Sequence, residues 1–456
     1  MTTDATPAER HSQGKALRKA TPRSSHAEWT PAATRPDPVG LISGQDAARL
    51  QWLVPIRHGR MAVSPFTFYR GAARIMAADL THTPASGVPV QLCGDAHLSN
   101  FGSYASPSRA QVFDVNDFDE TLPGPWEWDL KRLAASIVVA GRDRGFEKRE
   151  IEAATMSSVA AYRRAMASFA AQGTLELWYS HLTLDQIREV LPKKADQKRL
   201  EKTQEKWASK DSLKALSRLA EQVGDSFRIK SEPPLLVPLR ELAAEQHPEA
   251  LREEAEASLA AYAHTMNNDR KRLLQRFHLV DVALKVVGVG SVGSRCLVVL
   301  LQGKDAGDPL FLQVKEAGES VLAEYLPKSI SAKQGRRVVE GQRLMQAASD
   351  IFLGWSEARS GTHYYWRQLH DMKGSVDIET MDARRLTAYA GLCGWTLAHA
   401  HARSGDALAI AGYLGSGESF DRALSEFAER YADQNERDYE AFTAAIAAGT
   451  IEAQSD

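Results

Sequence analysis

The sequence has little of what builds extracellular, metal-stapled or membrane-spanning folds. Its 456 residues include three cysteines, Cys93, Cys296 and Cys393, far apart and with no Cys-x-x-Cys pair. That spacing argues against a disulfide framework or a cysteine zinc site and fits a reducing cytoplasm. No apolar run reaches the roughly 20 residues a spanning helix needs. The first forty residues lack the apolar core of a signal peptide. Charge is nearly balanced, with 56 Lys and Arg against 58 Asp and Glu, a formal net of −2. Nothing global therefore draws the chain to nucleic acid or to an anionic membrane. No internal repeat is visible. What is there is a soluble globular composition, 43% hydrophobic and 25% charged. The chain is too long for one ordinary domain, so two or three lobes are expected.

Residues 1–44, rich in Thr, Ala, Pro and Ser, read as a disordered leader. Residues 45–275 read as a mainly helical lobe, 276–375 as an antiparallel β lobe, and 376–456 as helices packing back on the first. Strand patterns fall at 88–93 and 111–115, around the turn-rich Ser106-Pro107-Ser108. Leu130, Leu133, Ala134, Ile137 and Val138 recur at helical spacing and predict a helix over 126–142. From 148 to 275 the pattern is almost wholly helical, interrupted at Ser231-Glu232-Pro233-Pro234. Short β-branched or Leu-rich runs at 282–287, 296–301 and 310–315, separated by glycine-containing turns, predict an antiparallel sheet. A helix is expected over 332–349, a strand over 364–369 and a strongly amphipathic helix over 382–402.

Cys93-Gly94-Asp95-Ala96-His97-Leu98-Ser99-Asn100 places an Asp and an Asn five residues apart on a loop after a strand. Phosphoryl transfer needs a base at the attacking hydroxyl and neutral oxygen ligands for a hard cation; Asp95 and Asn100 supply these types. Asn116-Asp117-Phe118-Asp119-Glu120 follows the second strand. Mg²⁺ takes one or two carboxylates plus nucleotide phosphates, so Asp117, with Asp119 beside it, is the expected metal ligand. Asp114 competes for that role, and a plain acidic turn accounts for the same residues. Asp129 sits where it favours a helix N-terminus, or could accept backbone N–H groups of the Asp95 loop.

Gly288-Val289-Gly290-Ser291-Val292-Gly293 is a G-x-G-x-x-G run. A Rossmann fingerprint would open a helix; here a strand-like segment follows, which is the hairpin form that covers ATP phosphates. Gly288, Gly290, Ser291 and Gly293 are the expected phosphate-contacting positions. Lys315 ends the third strand run, where an apolar setting would demand an anionic partner. Glu340 is the preferred carboxylate partner from the following helix, with Glu324 as the alternative. Arg57, Arg60, Arg70 and Arg74 could hold an anionic acceptor, or could be ordinary ion-paired arginines.

On these motifs the sequence resembles aminoglycoside and choline phosphotransferases and other protein-kinase-like enzymes. Over the whole ordered chain it is similar to the bacterial domain-of-unknown-function 2252 family. The matching runs are P-I-R-H-G-R-M from Pro55, F-Y-R-G-A-A from Phe68, C-G-D-A-H-L-S-N-F-G from Cys93 and N-D-F-D-E from Asn116. G-V-G-S-V-G-S-R from Gly288, Q-V-K-E-A from Gln313 and A-H-A-R-S-G-D from Ala400 complete them. The resemblance implies an α+β, two-lobed kinase-like fold using ATP and Mg²⁺ on a small-molecule or protein acceptor. Two departures stand out. Cys93 replaces a usual His, and the catalytic loop precedes the glycine run and lysine. A circular permutation accounts for that order and for the helix at 382–402, whose His401 should then lie near 90–93. The competing expectations are a kinase-fold enzyme that transfers AMP and a non-catalytic nucleotide-binding regulator.

Overall fold

A computed structural model of the chain describes residues 5–191, 193–224, 226–242, 248–327, 331–369 and 371–455. The stripe read around Leu130 is the inner face of the helix Trp126–Asp143, buried along nearly its whole length. Around it lie the helices Lys148–Ala170, Ala383–Ser404 and Ser419–Ala447, joined in the largest apolar core. Lys148–Ala170 and Ala383–Ser404 approach very closely. A Cβ at Gly394 would stand 2.1 Å from Ser158 O, so only glycine fits there.

Four short strands edge this helical core. They are β1 (Pro89–Leu92), β2 (Phe101–Ala105), β3 (Gln111–Val115) and β4 (Leu122–Pro125). β1 pairs antiparallel with β4, and β2 with β3 in the register Phe101 to Val115. A separate hairpin is formed by β5 (Ala220–Val223) and β6 (Ser226–Ile229). The main sheet uses β7 (Leu236–Pro238), β8 (His278–Lys285), β9 (Cys296–Gln302), β10 (Pro309–Glu316), β11 (Gly354–Glu357) and β12 (His363–Gln368). Its order is β11-β12-β10-β9-β8-β7, antiparallel throughout. A last strand, β13 (Gly374–Ser375), returns to pair with β2 and ties the two halves together. The class is α+β, and no described helix is long and apolar enough to cross a membrane.

Side chains alternate across the main sheet, as strand geometry requires. Val299, Leu301 and Leu312 face Tyr262 and Met266. Val298, Leu300 and Phe311 face Leu216, Leu219 and Ile229 on the other side. The sheet unit therefore starts well before residue 276, because segments expected in the helical lobe supply both of its covering layers. The near-continuous helical reading of 148–275 also misses β5, β6 and β7.

The leader is corrected as well. Beyond its first four residues, which lie outside the described residues, it is ordered. Pro7–Ala16 is a helix with a Thr6–Glu9 capping box, packed on the helix Ala407–Leu414. Arg18 donates to Tyr413 O at 2.8 Å and Arg23 to Leu414 O at 2.5 Å. These last-turn carbonyls have no partner within their own helix, and basic side chains satisfy them. Order here comes from capping a distant helix, which composition does not reveal.

Tyr262 stacks on Trp366 with ring centroids 4.6 Å apart and donates to Phe352 O at 2.5 Å. Tyr262→Ala should cost about 3–5 kcal/mol in denaturant unfolding, the range for a deleted buried aromatic. A loss below about 1 kcal/mol would mean that the 248–264 helix is not part of the sheet's core.

Candidate active site

The Asp95 loop leaves β1 and is fixed from behind by Asp129, in the first turn of the helix Trp126–Asp143. Asp129 accepts from Cys93 N at 2.7 Å and Gly94 N at 3.0 Å. His401 reaches the same carboxylate at 3.2 Å, and Tyr162 holds the other imidazole nitrogen at 2.9 Å. Gly94 has φ +84°, and a Cβ there would meet Glu120 O at 2.4 Å. The loop and the acidic segment are thus in direct backbone contact. The helix Ala383–Ser404 does return to β1, where Ser404 Oγ accepts from Gln91 N at 3.2 Å.

Asp95 Oδ1 accepts from Arg132 Nε at 2.5 Å, and His97 Nε2 lies 3.6 Å from Oδ2. Burial raises the Asp95 carboxyl above the ordinary aspartate value, and the Arg132 guanidinium only partly opposes this. Asn100 donates its amide nitrogen to Asp95 O at 2.8 Å, which leaves its Oδ1 free to accept.

Lys315, near the end of β10, is buried and bonded to Asp119, with Asp117 Oδ1 at 3.5 Å. Tyr365 of β12 donates to Asp119 at 2.5 Å. Burial opposes the Lys315 charge, but Asp117 and Asp119 hold its pKa well above the usual lysine value. In the same way burial opposes ionisation of Asp117, yet Lys315, then Arg367 and Lys373, pull it down to about 2. Arg337 clamps the backbone around this acidic segment, donating to Thr121 O at 2.6 Å and Asp119 O at 2.9 Å.

Several expectations are settled by position. Glu340 is not the lysine's partner: it is exposed and bonded to Arg336 at 2.7 Å. The helix Gln334–Met345 turns Arg337, Gly341 and Gln342 inward instead. Glu324 pairs with Arg74 at 3.2 Å. Asp114 lies within β3, accepts from Ala347 N at 3.0 Å and is pushed up to about 6 by burial, away from Lys315. Arg57 is wholly buried on Asp46. The residues missed by sequence reading are Arg49, Arg132, Arg337, Arg367 and Lys373. Arg132 alone left a signal, three residues beyond Asp129 and so on the same helix face.

The glycine run joins β8 to β9 in an antiparallel hairpin, with Gly288 at φ +66° and Gly293 at φ +90°. It is tied down by Arg49 to Val292 O at 2.5 Å, Arg60 to Gly288 O at 2.6 Å and Leu50 N to Gly293 O at 2.8 Å. The amides of Val289, Gly290 and Ser291 bond to no other described residue.

Two cavities meet at this place, of about 740 and 380 Å³, and share Asn100, Asp117, Gly288 and Ser291 as walls. Both fall in the size range of small-molecule sites. Among the described residues no three His, Cys, Asp or Glu side chains group as a ready metal site. Asp117, Asp119 and the Asn100 amide nevertheless suit Mg²⁺, which takes few protein oxygens and completes its shell elsewhere. The buried Asp117 Oδ1 accepts no hydrogen bond among the described residues and has the Lys315 ammonium 3.5 Å away.

A family model described as "Uncharacterized protein conserved in bacteria (DUF2252)" matches residues 49–445. The chain belongs to that family. No curated protein and no solved structure matches the chain. The family's span holds Asp95, Asn100, Asp117, Asp119, the glycine run and Lys315, and leaves the leader helix outside it.

Lys315→Met would take the nearest cation from the half-buried Asp117 and Asp119, with Arg367 and Lys373 left as partial compensation, and should cost about 2–3 kcal/mol at neutral pH. Asp117 has a depressed pKa, so its contribution is present above the ordinary value of 3.8 and lost as pH falls toward about 2. The stability gap between wild type and variant should therefore narrow over that acid interval in urea titrations. A gap that does not change with pH would contradict the pairing.

Proposed function

We propose that the chain is an ATP- and Mg²⁺-dependent phosphotransferase of the kinase-like kind, with its two lobes in permuted sequence order. The observation that carries this reading is the meeting of Lys315, from the sheet, with Asp117 and Asp119, from the segment after the Asp95 loop. Such a cluster has the composition of a nucleotide-phosphate and metal seat. The return of His401 and Ser404 to the start of the Asp95 loop supports the permutation.

In this reading the nucleotide enters the smaller cavity, beside Lys315, Arg367 and Lys373. Lys315 holds phosphate oxygens, and the unpaired amides of the glycine loop add donors without a side chain in the way. Mg²⁺ bound by Asp117, Asp119 and Asn100 would neutralise phosphate charge. Asp95 faces the larger cavity and orients the acceptor hydroxyl. The hydroxyl oxygen bonds to the γ-phosphorus as the bond to the β–γ bridging oxygen breaks. ADP leaves with that electron pair, and the hydroxyl proton passes to Asp95. A raised carboxyl pKa makes Asp95 a better proton acceptor than an ordinary aspartate. Arg132 holds it in place.

Asp95→Asn should lower phosphoryl transfer from labelled ATP to metabolite-extract acceptors by about 100-fold or more. It should leave the calorimetric affinity for Mg·ATP within about threefold, since the base acts on the acceptor. Equal turnover in the variant would remove Asp95 from the mechanism.

Lys373 adds a proton signature. Arg367 and burial lower its pKa to about 7. Polyphosphate beside it would raise that value, so nucleotide binding near pH 8 should take up protons. Calorimetry in buffers of different ionisation heat should show this uptake in wild type and not in Lys373→Met. An equal uptake in both would place the phosphates elsewhere.

A further inference from the structure

The larger cavity is lined by three arginines that the phosphotransferase reading does not use, beside seven carboxylates. Asp95 opens on this cavity and not on the smaller one, as do Arg49, Arg70 and Arg74. Arg74 is satisfied by Glu324. Arg49 and Arg70 are less fully bound: Arg49 donates one N–H to Val292 O at 2.5 Å, and the Nε of each has no hydrogen-bond partner among the described residues.

Arg70 lies near the end of the helix Pro65–Gly71. Burial pulls its guanidinium pKa down, and Asp95 offsets this in part. Asp95, however, already accepts from Arg132. Arg49, which lines the same cavity, has its closest carboxylate in Asp46 at 3.7 Å. That same carboxylate serves Arg57 at 2.7 Å and His58 at 2.8 Å. Burial and the neighbouring Arg57 bring Arg49 down to about 9, offset only in part by Asp46, Glu120 and Asp119.

The other acids lining this cavity are engaged elsewhere or exposed. Glu316 is paired with Arg295, and Asp117 and Asp119 with Lys315. Glu120 accepts from Val321 N, and Glu319 is exposed to solvent. Half-buried guanidinium groups with unpaired N–H donors are costly unless an anion reaches them. Their planar fork matches the oxygens of a phosphate or carboxylate.

We infer that the larger cavity seats an anionic group, a phosphate or a carboxylate, between Arg49 and Arg70, and that the acceptor handled by Asp95 carries this group. The acceptor half of the statement rests on the phosphotransferase reading; the anion seat does not. The acceptor is then a hydroxyl compound with its anionic group on the arginine wall and its hydroxyl toward Asp95.

The test is calorimetry on the full chain without nucleotide, at constant ionic strength, with inorganic phosphate and malonate titrated separately. Wild type should bind at least one of them, and which one binds more tightly identifies the anion. Arg70→Gln and Arg49→Gln should each weaken that binding about tenfold or more. Using both guards against one variant that does not fold. Lys373→Met, in the smaller cavity, should change it less than about threefold. Binding of neither ion overturns the proposal. So does binding that is lost in Lys373→Met and kept in both arginine variants, since the anion would then occupy the nucleotide side. Mg·ATP is titrated into the same samples. Its failure to bind, with arginine-dependent anion binding intact, would remove the phosphotransferase reading and leave the seat standing.

Discussion

A buried ammonium group cannot stand uncompensated, and Lys315 meets that requirement with carboxylates from the other half of the molecule. It leaves the sheet on β10 and finds Asp117 and Asp119 beyond β3. Taking the carboxylates away leaves the buried Lys315 ammonium without its counter-charge. The contact therefore fixes how the sheet sits on the helical half. It also brings the glycine hairpin and the Asp95 loop onto neighbouring cavity walls. Arg337 and Tyr365 reinforce it from the sheet side, one on the backbone of the acidic segment and one on Asp119 itself.

Asp129 plays the corresponding part within the helical half. Two loop amides, a histidine from the C-terminal region and the start of a long helix converge on one carboxylate. The Asp95 loop is thereby referenced to two helices far apart in the chain. Rigidity of this kind is what a positioned proton acceptor needs, because small displacements of a reacting group carry large rate penalties. Asp95 then has one oxygen engaged by Arg132 and the other beside His97, at the edge of an open cavity.

What was legible in the sequence is what depends on neighbours along the chain. The Asp95–Asn100 spacing, the hairpin form of the glycine run, the terminal lysine of the third strand run and the apolar stripe of 126–142 are all local patterns. What was not legible depends on how elements rotate and where they dock. Glu340 has the right residue type on the right helix but faces solvent, and a sequence does not show that rotation. Asp114 and Asp117 differ by three residues, yet one is locked inside β3 and the other meets the lysine. Tyr262 belongs to the sheet only through its stack on Trp366. The leader is ordered because Arg18 and Arg23 cap a helix near the other end of the chain. In each case the deciding contact is long-range, beyond any window of periodicity.

The central claim is that the Lys315 cluster is a nucleotide seat and not only a structural ion pair. An ATP derivative carrying an acyl phosphate at its terminus tests this most directly, because it acylates the lysine nearest the bound phosphates. Mass spectrometry of the digested full chain should find the label on Lys315 or on its neighbour Lys373. Excess Mg·ATP should protect against it. Labelling spread over exposed lysines, with no protection by Mg·ATP, would contradict the account.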